Sequence, residues 1–363
     1  MMKVLHISPT YFSEDSFIGG GERYAYELAK AMARKAEVVF LSYADKKIFR
    51  EDGPLKVRHL RRNIFSRRYA SNPFSLEFVR QIMWADVIHC HQAYNLSTDM
   101  ALVLGKASGK KVFVTDLGGG DKFSLSHHLP LLKRADALLL ISDYSQKRWQ
   151  ATNPAEAERS KVIYGGVDTQ KFSPGDSRKN NRILFVGRLA PHKGIDYLVE
   201  AVNGSVGLDI VGPVCHPRYF EWLEEKSRNK EIHFHFALDD EALIQKYREA
   251  LVTVLPSVYT DCYGRHSLIP ELLGLAVLES MACGTPVIVS EVASLPEIVK
   301  EGVTGFIVRP NSPEALREKI QFLLTHPETA REMGRQARQD ATQRFPWDQV
   351  VGQCLKAYQS NGD

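Results

Sequence analysis

Apolar positions along the chain follow two alternating rhythms. Short runs rich in Val, Ile, Leu and Phe occur at residues 3–8, 38–42, 87–91, 112–116, 137–142 and 162–165, each of strand length. Between them, apolar residues recur every three or four positions. In residues 22–34, Ala25, Leu28, Ala29 and Met32 share one helical face. After a polar, Pro- and Gly-containing passage at 172–181 (FSPGDSRKNN) the rhythm restarts, with strands expected at 183–187, 208–211, 251–255, 287–290 and 306–308. Strands that alternate with helices favour parallel sheets, because parallel neighbours need a crossover that a helix supplies. The predicted fold class is α/β, with two Rossmann-like doubly wound domains facing across a cleft. Such sheets take ligands beyond the carboxyl ends of their strands, so the chemistry is expected there.

Length and composition agree with two cores and narrow the class. A chain of 363 residues, 44% hydrophobic and 25% charged, is neither disordered nor fibrous and fits two ordinary domains. No run reaches eighteen apolar residues, and residues 1–9 alternate like a strand, so neither a membrane span nor a signal peptide is expected. Five cysteines without C-x-x-C spacing argue against a disulfide framework and against zinc, and point to the reducing cytoplasm. Charge divides unevenly: residues 1–170 hold 25 Lys+Arg against 18 Asp+Glu, the remainder 22 against 25. Residues 56–68 (KVRHLRRNIFSRR) carry six cations and no acid, interleaved with Val57, Leu60, Ile64 and Phe65. That run reads either as a solvated loop or as a peripheral contact with an anionic membrane, its apolar residues dipping in. One short basic run without a recognised fold gives no reason to expect a nucleic-acid partner.

Three motifs carry candidate chemistry. Gly19, Gly20 and Gly21 stand directly before the first helix, where close backbone approach and unpaired N–H groups suit a phosphate. The nicotinamide fingerprint G-x-G-x-x-G fails there, because Tyr24 replaces the last glycine. The second motif, residues 185–194 (FVGRLAPHKG), places Arg188 and Lys193 in a loop after the leading strand of the second half, where they suit a departing diphosphate. The third is Glu271 and Glu279, eight apart around Gly274 and Leu275. With a helix starting near Gly274, one carboxylate precedes it and the other lies within it, among apolar neighbours that demand a partner. Carboxylates accept paired bonds from vicinal sugar hydroxyls, and the helix amino end suits a phosphate. His89 and His91 end a strand on one face, a metal pair that lacks a third clear ligand, or structural histidines.

Together these residues resemble the family 4 retaining glycosyltransferases of GT-B fold: Gly-Gly before the first helix, G-R-x(4)-K-G after a mid-chain strand, and E-x(7)-E running into MACGTPV. The similarity covers nearly the whole chain. It implies an N-terminal acceptor-binding domain at 1–170, joined by a C-terminal helix at 345–363, and a donor-binding domain at 171–344. It further implies that Glu279 binds the nucleotide ribose, and that Glu271 with Gly274 and Leu275 meets the donor sugar and its phosphate. Arg188 and Lys193 would hold the diphosphate, and Gly19–Gly21 would approach the distal phosphate and the acceptor. His91 is assigned an acceptor contact. Leu117 stands where the family often has a histidine that reaches the donor sugar, and Asp116 takes that role by a one-residue offset or the sugar is recognised differently. Residues 258–270 form a longer connection than the family usually has. No D-x-D occurs, so no metal and no cofactor beyond the nucleotide diphosphate sugar is expected.

The expected activity is transfer of a hexose from a UDP- or GDP-sugar to an acceptor hydroxyl with retained configuration, in glycolipid or surface polysaccharide assembly. The competing readings are a nucleotide-sugar epimerase or hydrolase of the same fold and a non-catalytic nucleotide-sugar binder.

Overall fold

The structure is a computed structural model that describes residues 1–12, 19–61, 73–120, 123–176, 179–204, 206 and 207–360. It comprises two compact units, Met1–Gly165 with Trp347–Asp363, and Gly166–Pro346. The fold is GT-B, with two α/β units built on parallel sheets.

The first unit holds strands β1 (Lys3–Phe12), β2 (Glu37–Ala44), β3 (Ile48–Asp52), β4 (Leu55–Arg61), β5 (Val87–His91), β6 (Lys111–Thr115), β7 (Ala137–Leu140) and β8 (Ser160–Val162). They form one sheet in the order β3-β4-β2-β1-β5-β6-β7-β8. Every adjacent pair is parallel except β3 with β4. The order reverses between β1 and β5, which makes the carboxyl ends of those two strands the ligand edge of the unit. One face buries Leu5, Ile7, Val39, Leu41, Ile88, Cys90, Val112 and Val114 in a single apolar core. Across the other face, the C-terminal helix Trp347–Gln359 returns to this unit, and Tyr358 bonds His89 from it at 2.7 Å.

The second unit holds β9 (Arg182–Val186), β10 (Gly207–Val211), β11 (Ile232–His235), β12 (Val252–Leu255), β13 (Val287–Ser290) and β14 (Gly305–Val308). Their order is β11-β10-β9-β12-β13-β14, and all are parallel. Ile183, Leu184 and Phe185 of β9 are all buried, as expected of a central parallel strand covered on both faces. Here the order reverses between β9 and β12.

The basic run is corrected by β4. Leu55, Val57 and Leu60 are at most 2% exposed and pack into the sheet, so Val57 and Leu60 are unavailable to a membrane. Residues 62–68, with Ile64 and Phe65, lie outside the described residues. Among the described residues, no helix is long and apolar enough to cross a membrane.

Asp209 on β10 is the electrostatic knot of the second sheet. Arg182 from β9 bonds it at 3.0 Å, His235 from β11 at 3.0 Å and Lys246 at 3.1 Å. Burial alone would raise this carboxyl, but the hydrogen bonds from Arg182, His235 and Lys246 prevail and hold it at about 2. A depressed carboxyl stabilises the fold above its ordinary pKa, and that contribution disappears as pH falls toward the folded value. Acidification from pH 5 to pH 2 should therefore remove about 2 kcal/mol through this group. Melting curves across that window should show a smaller loss for Asp209→Asn than for the wild type, and equal losses would contradict the assignment.

Candidate functional site

In the second unit the chemistry collects at the reversal between β9 and β12. After β9 the chain passes through Gly187 and Arg188 into a turn at Pro191–Lys193, then Gly194 at φ +64° starts the next helix. A Cβ at Gly194 would lie 2.1 Å from the Pro256 carbonyl oxygen, so the turn fits against the chain leaving β12 only as glycine. Val258 donates to the His192 carbonyl at 2.9 Å and Leu189 to that of Pro213 at 2.9 Å, fixing the loop from both sides.

This loop presents its two cations differently. Lys193 is 9% exposed and pairs with Glu271 at 2.5 Å. Arg188 is exposed and, among the described residues, has no hydrogen-bond or ion-pair partner. Between them, burial, then Lys193 and Arg188, push His192 down to about 4, so it stays neutral and adds no charge near neutral pH.

Glu271 precedes the helix Leu275–Ala282, which opens on Gly274 at φ +80° without a side-chain cap. Its first N–H groups have no intrahelical partner, and the aligned peptide dipoles place partial positive charge there. Glu279 lies inside the helix, 5% exposed, and accepts a hydrogen bond from Tyr247 at 2.9 Å. The apolar surroundings of Glu279 implied a partner, and Tyr247 supplies one. Sequence reading missed Tyr247, although Leu243, Ile244 and Tyr247 form the buried face of the helix Asp240–Glu249. On the expectation that Glu279 meets a nucleotide ribose, Tyr247→Phe, which removes one bond from this buried carboxylate, should weaken nucleotide binding about three- to tenfold. Calorimetric titration with UDP and GDP checks this, and unchanged affinity would deny Tyr247 any part in setting Glu279.

Residues 258–270 form a built hairpin. Thr260 bridges His266, Asp261 accepts from the backbone of Tyr263 at 2.9 Å and Arg265 at 3.0 Å, and Tyr259 accepts from Ala293 at 2.8 Å.

In the first unit, Gly19 caps the helix Gly20–Met32 and donates its N–H to the Glu22 carboxylate at 2.9 Å. Gly20 is the first helical residue, and a Cβ on Gly21 would touch Leu117 at 3.6 Å, so Leu117 packs against the glycine run. Asp116 follows β6 and is 6% exposed. One carboxylate oxygen accepts from the Trp149 indole at 2.9 Å, the other from Gly118 N–H at 3.3 Å. Burial raises its pKa despite these donors.

His91 is 1% exposed and joins His6 and His89 in a buried trio whose ligand atoms lie within 4.8 Å of one another. Sequence reading missed His6, the in-register partner of His89 on the neighbouring strand. His89 is bonded on both ring nitrogens, by Thr115 at 2.7 Å and Tyr358 at 2.7 Å, and His6 bonds His91 at 2.8 Å. Burial drives all three imidazoles toward the neutral form, His89 to about 3. Next in the chain, Gln92 adopts φ +135°, a region costly for a side-chain-bearing residue. Its carbonyl is held there by Asn95 at 2.8 Å and Thr98 at 2.7 Å.

Both halves of the chain match known glycosyltransferases. Residues 167–340 match the profile described as Glycosyl transferases group 1, and residues 18–171 match Glycosyltransferase Family 4. The chain is 30% identical over 322 residues to a D-inositol 3-phosphate glycosyltransferase of Acidothermus cellulolyticus, covering 78% of this chain and 68% of that one. Among solved structures it resembles sucrose-phosphate synthase from Thermosynechococcus elongatus, with TM-score 0.78, 23% identity, and 99% and 98% of the two chains covered. It also resembles Anabaena HepE in complex with UDP-glucose, with TM-score 0.74, 20% identity, and 98% and 100% covered.

Proposed function

This chain belongs to the family 4 glycosyltransferases, and from that premise we propose that it transfers a hexose from a UDP- or GDP-sugar to an acceptor hydroxyl with retained configuration. The acceptor is assigned as a glycolipid or surface polysaccharide precursor, met at the cytoplasmic face of the membrane. One observation carries the donor half of this reading: Lys193, Glu271 and the uncapped end of the helix Leu275–Ala282 belong to the loops that follow β9 and β12, where the sheet order reverses.

In this mechanism Arg188, Lys193 and the N–H groups at Gly274 and Leu275 hold the diphosphate and stabilise the charge it gains as the glycosidic bond breaks. Glu279, set by Tyr247, accepts from the ribose hydroxyls, and Glu271 meets the donor sugar. With no diphosphate bound, Lys193 and Glu271 neutralise each other. A donor phosphate recruits the ammonium and leaves the Glu271 carboxylate to sugar hydroxyls. A donor phosphate oxygen takes the proton of the attacking acceptor, so no protein nucleophile is required. Cations and peptide dipoles do the work elsewhere given to a divalent metal. The acceptor is assigned to the first unit, at Gly19–Gly21; His91, 1% exposed and bonded to His6, is closed to it, and Asp116 is held by Trp149 and Gly118.

Incubating UDP- and GDP-sugars with a panel of glycolipid and oligosaccharide acceptors tests the reading. Acceptor-dependent release of UDP or GDP with a new α- or β-linkage matching the donor supports it. Rapid isomerisation or hydrolysis without acceptor identifies an epimerase or hydrolase instead.

A further inference from the structure

The histidines at the end of β5 take no part in the glycosyl transfer assigned above, and the fold gives them the third partner that local spacing withheld. His6 on β1 stands in register with His89, and His91 follows along β5. Ring centroids of the three lie 4.4 to 5.1 Å apart, and none is more than 1% exposed.

One bond in this trio is frustrated. A neutral imidazole carries a single N–H, and His6 Nδ1 and His91 Nε2 share one hydrogen bond at 2.8 Å. If His6 donates, the His91 proton sits on Nδ1, and His6 turns a bare Nε2 toward the Met32 sulfur 3.3 Å away. If His91 donates, its Nδ1 becomes a buried lone pair. Either way Nδ1 of His91 has no partner among the described residues. A buried polar atom without a partner is costly and calls for an explanation, an ion being one.

The donor set says which ions fit. Burial keeps all three rings neutral, the form that ligates metals, so protons do not compete for them near neutral pH. Among the described residues no carboxylate bonds any of the three rings. Imidazoles with a thioether at hand suit copper(I) and zinc(II), whereas calcium and magnesium require oxygen. Nitrogens on one such ion stand about 3.4 Å apart. The ligand atoms here lie within 4.8 Å of one another, so ring shifts of about 1 Å close the trio. His89 Nδ1 faces Tyr358 Oη at 2.7 Å, a partner of the kind that orients a ligating imidazole. We propose that His6, His89 and His91 form a structural site for one closed-shell ion that prefers nitrogen and sulfur, copper(I) or zinc(II), tying β1 to β5. The ion belongs to the first unit and is no part of the diphosphate chemistry assigned to the second.

The test uses the untagged full chain, expressed in medium supplemented with copper or zinc so that the ion is present as the chain folds. The purified chain is also incubated with one equivalent of zinc(II), or of copper(I) under nitrogen with ascorbate, and desalted. Elemental analysis should find one ion per chain, and X-ray absorption should show about three nitrogen neighbours near 2.0 Å. Retention of one ion in preference to the other identifies the natural occupant, and either supports the site. His91→Gln should retain none, and Tyr358→Phe should bind about 10- to 100-fold more weakly. Wild type that retains neither ion, an absorption spectrum dominated by oxygen neighbours, or equal retention by His91→Gln overturns the proposal and leaves the trio a hydrogen-bonded core cluster. The wild-type spectrum decides even if the variant fails to fold. Metal retention is read without any substrate, so neither outcome bears on glycosyl transfer.

Discussion

Lys193→Ala is expected to lower kcat/KM by about 10²–10⁴, the range for removing a preorganised group that stabilises charge in the transition state. The same substitution strips Glu271 of its partner at a largely buried site, the two side chains being 11% and 14% exposed. An unpaired buried carboxylate lowers stability, and a fall in activity could be misread as unfolding. The double variant Lys193→Ala, Glu271→Gln separates the effects, because the amide needs no cation. Its melting temperature should recover most of what the single variant loses, while turnover stays low. Recovery of both would make the ion pair a structural device only.

Gly194→Ala should be nearly as damaging through the backbone. The position holds φ +64°, and the added methyl would sit 2.1 Å from the Pro256 carbonyl, far inside contact distance. Relief requires the Arg188–Lys193 loop or the end of β12 to move, and either displaces the Lys193 ammonium from Glu271. We expect a loss of about 2–4 kcal/mol and a fall in turnover beyond what the melting shift explains. Gly302→Ala is the control: it has φ +70° with nothing within 4 Å of the new methyl, so only the left-handed penalty of about 1–2 kcal/mol applies. If both variants melt alike, the close approach to Pro256 does not matter.

These two residues show how much of the molecule was legible in the chain. Period and residue type located most strands, because a parallel strand buried on both faces is a continuous apolar run, as at Ile183–Phe185 and Val287–Val289. β4 reads as a basic surface because its outward positions, Lys56 and Arg58, alternate with Val57, the pattern of a half-buried strand. β11 was missed because His233 and His235 interrupt its apolar run at the edge of the sheet. At the site, Glu271, Gly274 and Glu279 were legible because one helix start fixes their spacing. Partnerships between separate elements were not: Tyr247 with Glu279, His6 with His91, Trp149 with Asp116. Such pairs depend on which strands lie side by side, which local spacing does not encode.

Family membership and the GT-B fold stand on the sequence match and the two sheets. The donor half of the proposal is carried by the proposed roles of named side chains, and those roles share one physical requirement: a pyrophosphate gripped by the second unit.

Titration calorimetry of UDP and GDP against wild type, Arg188→Ala and Lys193→Ala, with EDTA present throughout, tests that requirement directly. The expected result is one nucleotide bound per wild-type chain in the chelator, with affinity reduced at least about tenfold in each variant. Nucleotide binding that survives both substitutions unchanged, or a wild type that binds neither nucleotide, would contradict it.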